Sequence, residues 1–107
     1  MSGDLNRITL IGHVEFVIEN NDILSFRMST KEVLKDINTG ERTELLEHHM
    51  IVCSKDIVSM LRGNIFKGVR VFVDGAIRGK YSEDNNANSF EIYANVVEVL
   101  RDEKDCD

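Results

Sequence analysis

The residues richest in chemistry sit in one stretch, Glu47-His48-His49-Met50-Ile51-Val52-Cys53-Ser54. Two adjacent histidines invite a metal. Yet neighbouring side chains on a strand point to opposite faces, so His48 and His49 cannot close on one ion. The two cysteines, Cys53 and Cys106, lie 53 positions apart in a strand and at the end of the chain, with no C-x-x-C spacing. That is neither a zinc site nor a disulfide framework. His48, Cys53 and Ser54 share one short strand and its end, which gives no converging nucleophile and base. Cys53 reads as a small buried hydrophobe. Glu44 and Glu47 belong to no recognisable pocket, and glycine-rich phosphate loops are absent. No cofactor and no metal are expected, and catalysis is the least supported class.

The elements that would position other chemistry are strands. Ile8 and Leu10 alternate with Arg7, Thr9 and Ile11. Gly12 breaks the pattern as a bend or bulge, and Val14, Phe16 and Ile18 resume it. Asn20-Asn21-Asp22 is a turn signal. Over 23–30, Leu24, Phe26 and Met28 share one face, with Ser25, Arg27 and Ser29 on the other. Asp36-Ile37-Asn38-Thr39-Gly40-Glu41 reads as a hairpin tip before a third strand from Arg42 to Cys53. Ser54 or Asp56 is placed to cap a helix over 56–63, with Ile57, Val58, Met60 and Leu61 as its apolar stripe and Gly63 at its end. A fourth strand over 69–78 carries Val71 and Val73, then Gly75 as a bulge or sharp bend. A polar loop over 83–88 leads to a fifth strand over 89–100, where Ile92, Val96, Val97 and Val99 favour strand over helix.

This predicts an all-β protein with one helix between strands 3 and 4. That is the order of a five-stranded OB-fold barrel, a fold that binds nucleic acids, sugars or proteins. The chain of 107 residues forms one such domain over 1–100, with a short acidic tail over 101–107.

Charge is unevenly spread. Residues 1–80 hold 11 Lys/Arg and 11 Asp/Glu, whereas 81–107 hold 2 and 8, so the net charge of −6 lies in the final quarter. A neutral body repels a polyanion less than the total implies, though it lacks the excess of cations usual in nucleic-acid binders. No run approaches the roughly 18 apolar residues of a membrane span. Met1-Ser2-Gly3-Asp4-Leu5-Asn6-Arg7 resembles neither a signal nor a transit peptide. The expectation is a cytoplasmic protein without membrane contact.

Four fragments carry a specific resemblance. Asn6-Arg7-Ile8-Thr9-Leu10-Ile11-Gly12, then Asn38-Thr39-Gly40-Glu41 with Glu47-His48-His49, then Lys67-Gly68-Val69-Arg70-Val71-Phe72-Val73-Asp74-Gly75-Ala76-Ile77-Arg78, then Glu91-Ile92-Tyr93-Ala94-Asn95 follow in order. They are similar to the motifs of bacterial single-stranded DNA-binding proteins, over about residues 5–100. The resemblance implies an OB-fold that coats single-stranded DNA without sequence preference in replication, recombination and repair. It also implies a homo-oligomer, usually a tetramer with a dimer as the alternative, and contacts with replication or repair proteins.

The resemblance places nucleic-acid contacts at Arg7, Lys35, His48, Lys67, Arg78, Lys80 and Tyr81, with His49 at the oligomer interface. Cations would track the backbone while Tyr81, and weakly His48, would stack on bases. The chain departs from the family at its other stacking positions. They fall at Leu34 and near Cys53 or Ser54, tryptophan is absent, and the third-strand arginine is Met50. The family's long linker and apolar-ended acidic tip have no counterpart in Asp102-Glu103-Lys104-Asp105-Cys106-Asp107. Binding weaker than the family norm is expected. Two rival expectations are a primosomal-type replication accessory protein, dimeric and mainly bridging proteins, and an assembly module that has lost DNA.

Overall fold

The computed structural model describes residues 3–20, 22–84 and 87–101; Asn21, Asn85, Asn86 and the tail from Asp102, including Cys106, lie outside the described residues. Five strands and one helix follow in order: β1 (Ile8–Asn20), β2 (Ile23–Lys35), β3 (Arg42–Cys53), α1 (Lys55–Leu61), β4 (Arg70–Ser82) and β5 (Ala87–Leu100). The strands close into a barrel in the order β1-β2-β3-β5-β4. All neighbours are antiparallel except β3 and β5, which run parallel. This is the five-stranded OB-fold barrel, with its helix between the third and fourth strands as the sequence predicts.

Alternation builds the core. Leu24, Phe26 and Met28 of β2, Ile51 of β3, and Val71 and Val73 of β4 are almost wholly buried. Val58 and Leu61 of α1 are buried against them, with Ile57 packed alongside, so the helix plugs one end. Ser54 occupies the N-cap position, though its side chain makes no capping bond, and Gly63 follows the helix in the left-handed region at φ +81°.

The third strand starts at Arg42 as the sequence predicts, whereas β2, β4 and β5 run further into their hairpins than expected. β2 and β3 stay paired out to Lys35 and Arg42, and β4 and β5 out to Ser82 and Ala87. These arms are rich in charged residues, glycine and small polar groups, which seldom signal strands by themselves. Their ladders, not their local preferences, make them strands.

Gly12 is not the bulge the sequence suggests. The register slips three positions later, between Val14 and Phe16, leaving Glu15 as the extra residue. The slip reverses the alternation: Val14 and Val17 turn toward the core, while Phe16 and Ile18 are 42% and 40% exposed. Gly12 is small for another reason, because a Cβ there would overlap the carbonyl oxygen of Ser29. Gly75 sits at a real register shift, after Asp74, and its missing Cβ makes room for the carbonyl oxygen of Tyr93.

Candidate nucleic-acid interface

Every second residue of each strand points out of the barrel, and register aligns these outer positions from strand to strand. Arg27 of β2 stands between Phe16 of β1 and Met50 of β3. One step along, Ser25 stands beside Val52, Val52 beside Tyr93 of β5, and Tyr93 beside Ala76 of β4. Arg78 lies two residues beyond Ala76 on the same face. The outer wall is therefore continuous from Phe16 to Arg78.

That wall carries two matched pairs. The Arg27 guanidinium carbon lies 5.9 Å from the centre of the Phe16 ring, and that of Arg78 lies 5.4 Å from the centre of the Tyr93 ring. In each case a cation rests on a ring that stays about two-fifths exposed. Flat apolar surface beside fixed positive charge is what an unpaired polynucleotide requires, bases for the rings and phosphates for the guanidinia.

His48 shares this wall, opposite Ser29. Its Nδ1–H donates to Glu15 Oε1 at 2.6 Å, and the same oxygen lies 3.3 Å from Arg27 Nε. The bulge explains this placement, because an unpaired residue is aimed by the backbone kink, not by the ladder. The hydrogen bond from His48, aided by the charge of Arg27, holds the Glu15 carboxyl below its ordinary range. Further out on the same face, Lys31 pairs with Glu44 at 3.2 Å and Lys35 stands opposite exposed Arg42.

The remaining expected contacts are dispersed. Arg7, just before β1, donates from Nε and Nη2 to the two carboxylate oxygens of Asp74, at 3.1 and 3.0 Å, and the Thr9 hydroxyl donates to the same group at 3.2 Å. Arg7 lowers the Asp74 pKa and is itself raised. Lys67 lies exposed in the connection from α1 to β4. Arg78 and Lys80 share the outer face of the β4–β5 arm. Tyr81 does not join them. It stands opposite Asn88, on the face of Ile77, Gly79 and Phe90, so the expected phenol beside cations is split between two faces of one hairpin.

His49 points the other way from His48. Its Nε2 lies 2.9 Å from Thr30 Oγ1, and partial burial lowers its pKa. The two imidazoles thus make separate contacts, and no cluster of His, Cys, Asp or Glu among the described residues could hold a metal. Cys53 is buried, and burial pushes its thiol up to about 11. A cleft of about 500 Å³ lies elsewhere, between α1 and the end of β5, and is lined mainly by Met60, Leu61, Phe66, Val97 and Val99. Asn64 and Arg101 are its polar lining residues, and it holds no pair of acid and base. No helix among the described residues is long and apolar enough to cross a membrane.

Sequence reasoning missed Phe16, Arg27 and Tyr93. Arg27 had a usable signal, since alternation already placed it outside β2. Tyr93 had one as well, between the inward Ile92 and Ala94. Phe16 had none, because the bulge that turns it out lacks glycine and proline.

Comparison with known proteins identifies the family. The model of the single-strand binding protein family matches residues 5–100. The single-stranded DNA-binding protein of Rickettsia felis is 30% identical over 93 residues, covering 80% of this chain and 61% of that protein. That of Rhizobium meliloti is 26% identical over 95 residues, covering 82% of this chain and 55% of that protein. The chain thus spans about three fifths or less of the length of these curated relatives. Among solved structures, the Plasmodium falciparum SSB in complex with ssDNA superposes with a TM-score of 0.77 at 27% identity, over 94% of this chain and 96% of that one. A small single-stranded DNA-binding protein from Streptomyces coelicolor shares the fold, with a TM-score of 0.73 at 17% identity over 92% and 96% of the two chains. With a family match over nearly the whole barrel and the barrel's own topology in agreement, this chain belongs to the single-strand binding protein family.

Proposed function

We propose that this chain binds single-stranded DNA without sequence preference, on the outer wall of β1, β2, β3, β5 and β4. The observation that carries the proposal is the pair of cation–ring contacts, Arg27 on Phe16 and Arg78 on Tyr93, at the two ends of one continuous surface. Strands 2 and 3 form the usual ligand face of an OB barrel, and these pairs lie on it and on the neighbouring strands. Family membership supports the same reading. Stacking and phosphate contact tolerate any base, so the wall favours coating over sequence readout.

In this reading Lys31, Lys35, Arg42 and Lys80 extend the path along the arms. Lys67 and Tyr81 serve strands that leave the wall, and His48 joins the path only when parted from Glu15. The OB domain over 1–100 does the binding, followed by the short acidic tail over 101–107. The protein is a cytoplasmic binding protein without catalysis, and it acts in replication, recombination and repair beside the proteins of those processes. It works as a homo-oligomer, a tetramer by the family's habit, with half-buried His49 near the subunit contact.

Titration of a labelled oligo-dT at two salt concentrations tests this. Binding at low salt is expected, with log affinity falling by about 0.7 per phosphate neutralised for each unit of log salt. A flat slope, or no binding at low salt, overturns it in favour of a protein-interaction module. Native mass measurement separates tetramer from dimer.

A further inference from the structure

We propose that Glu15 is a built-in competitor of the DNA phosphate: its carboxylate fills the anion seat formed by Arg27 and His48, and a bound phosphodiester takes that seat by displacing it. This rests on the binding reading above and names the group that limits it.

Three observations on one spot carry the inference. Glu15 is the extra residue of the β1 bulge, so the backbone aims it across β2 toward β3 without any cross-strand partner. A single carboxylate oxygen serves both cations, 2.6 Å from His48 Nδ1 and 3.3 Å from Arg27 Nε. The fit to Arg27 is incomplete. Its Nε is buried and, despite the short approach, makes no hydrogen bond of proper alignment. Arg27 Nε is thus close to an anion that leaves it without an aligned partner.

A phosphodiester is better suited to the seat. Its tetrahedral oxygens can meet a guanidinium along two parallel N–H bonds, a geometry that Glu15, approaching Arg27 through a single oxygen, does not make here. Phe16, under the same guanidinium, would then receive the adjoining base. The ion pair to be broken joins side chains that are 40% and 30% exposed, where such pairs are weak. Displacement is therefore within reach of a phosphate, while the carboxylate still excludes stray small anions. The bland alternative is that Glu15 only fastens β1 to β3.

The test compares wild type, Glu15→Gln and Glu15→Ala in oligo-dT titrations over a salt series, with Glu98→Gln as the control for loss of any one negative charge. Glu98 lies opposite Phe72, away from the seat. Glu15→Gln should bind about three- to tenfold tighter at low salt, with the log–log slope unchanged, because the same phosphate occupies the seat once Glu15 is displaced. Glu15→Ala should do the same, and Arg27→Gln added to Glu15→Gln should abolish the gain. An oligonucleotide with an uncharged methylphosphonate backbone should show no gain. If wild type binds and Glu15→Gln binds no tighter than Glu98→Gln, the competitor is refuted and the binding reading stands. If no variant binds at low salt, both fall. Circular dichroism of each variant must show the wild-type barrel, and loss of fold in both Glu15 variants would establish the fastening role instead.

Discussion

Arg7 and Asp74 hold each other at both ends, with two guanidinium nitrogens reaching two carboxylate oxygens at 3.1 and 3.0 Å. A motif comparison sees only a basic residue at position 7. The barrel brings an acid to it from β4, with Thr9 as a third partner. A cation so engaged has little to offer a phosphate. Arg7→Ala should therefore weaken oligo-dT binding less than about twofold and leave the salt slope unchanged, whereas Arg78→Ala should flatten it by about 0.7. Anisotropy titrations across a salt series check both.

The rings should be worth more than the scattered charges. Removing the platform by Phe16→Ala or Tyr93→Ala should cost about 1–3 kcal/mol of binding, roughly 5- to 150-fold in affinity. Tyr93→Phe should retain most of it, because stacking uses the ring and not the hydroxyl. Equal losses from Phe90→Ala, on the opposite face of the β4–β5 arm, would place the bound strand elsewhere.

Gly12 and Gly75 are set by backbone proximity. A methyl group at either position meets a carbonyl oxygen of a neighbouring strand, Ser29 or Tyr93, which cannot swing aside as a side chain could. Gly12→Ala and Gly75→Ala should each destabilise the fold by about 1–3 kcal/mol or more. Gly3→Ala, with open space around it, should change little. Urea denaturation of the three variants gives the comparison.

Acid should loosen the fold in two stages. Burial holds the His49 pKa below its ordinary 6.5, so below that pH the unfolded chain takes up the proton first. Stability due to neutral His49 is complete above 6.5 and declines as pH falls. The Glu15 carboxyl is held below its ordinary 4.5 by its bond from His48, so its share is complete above 4.5 and lost as pH falls through the lower folded value. Urea midpoints should be level between pH 8 and 7 and fall as the pH is lowered below that. His49→Gln should remove the upper stage, and Glu15→Gln should shrink the lower, which Asp74, held below its ordinary range by Arg7, shares.

Cys53 should be nearly inert in the folded chain. A thiol pushed to about 11 leaves only about one part in a thousand as thiolate at pH 8, and the side chain is buried as well. In a Cys106→Ser background, iodoacetamide should modify native protein at least about a hundredfold more slowly than protein in urea, as followed by mass spectrometry.

The barrel itself was legible because its signals are local and repetitive. Leu24, Phe26 and Met28 at period two, with Asn38-Thr39-Gly40 at a tip, announce strand and turn without tertiary help. The interface was less legible, because it depends on which outer positions become neighbours across strands. Glu15 shows why. Nothing in Val14-Glu15-Phe16 marks a bulge, yet that single slip sends Phe16 outward and carries a carboxylate to His48. Tyr81 shows the converse. Its position beside Lys80 in sequence is what separates the two in space, since adjacent strand residues face apart.

The parallel seam between β3 and β5 is the shortest join in the wall among the described residues, with Ile51–Ile92, Val52–Tyr93 and Cys53–Ala94 in register. A tube fastened by three rungs along one side tears there first when it is pulled. Val52 and Tyr93 of the proposed binding wall sit on those very rungs. A polymer laid across them would act as a splint, so amide protons along the join should become the slowest to exchange once the tube is loaded.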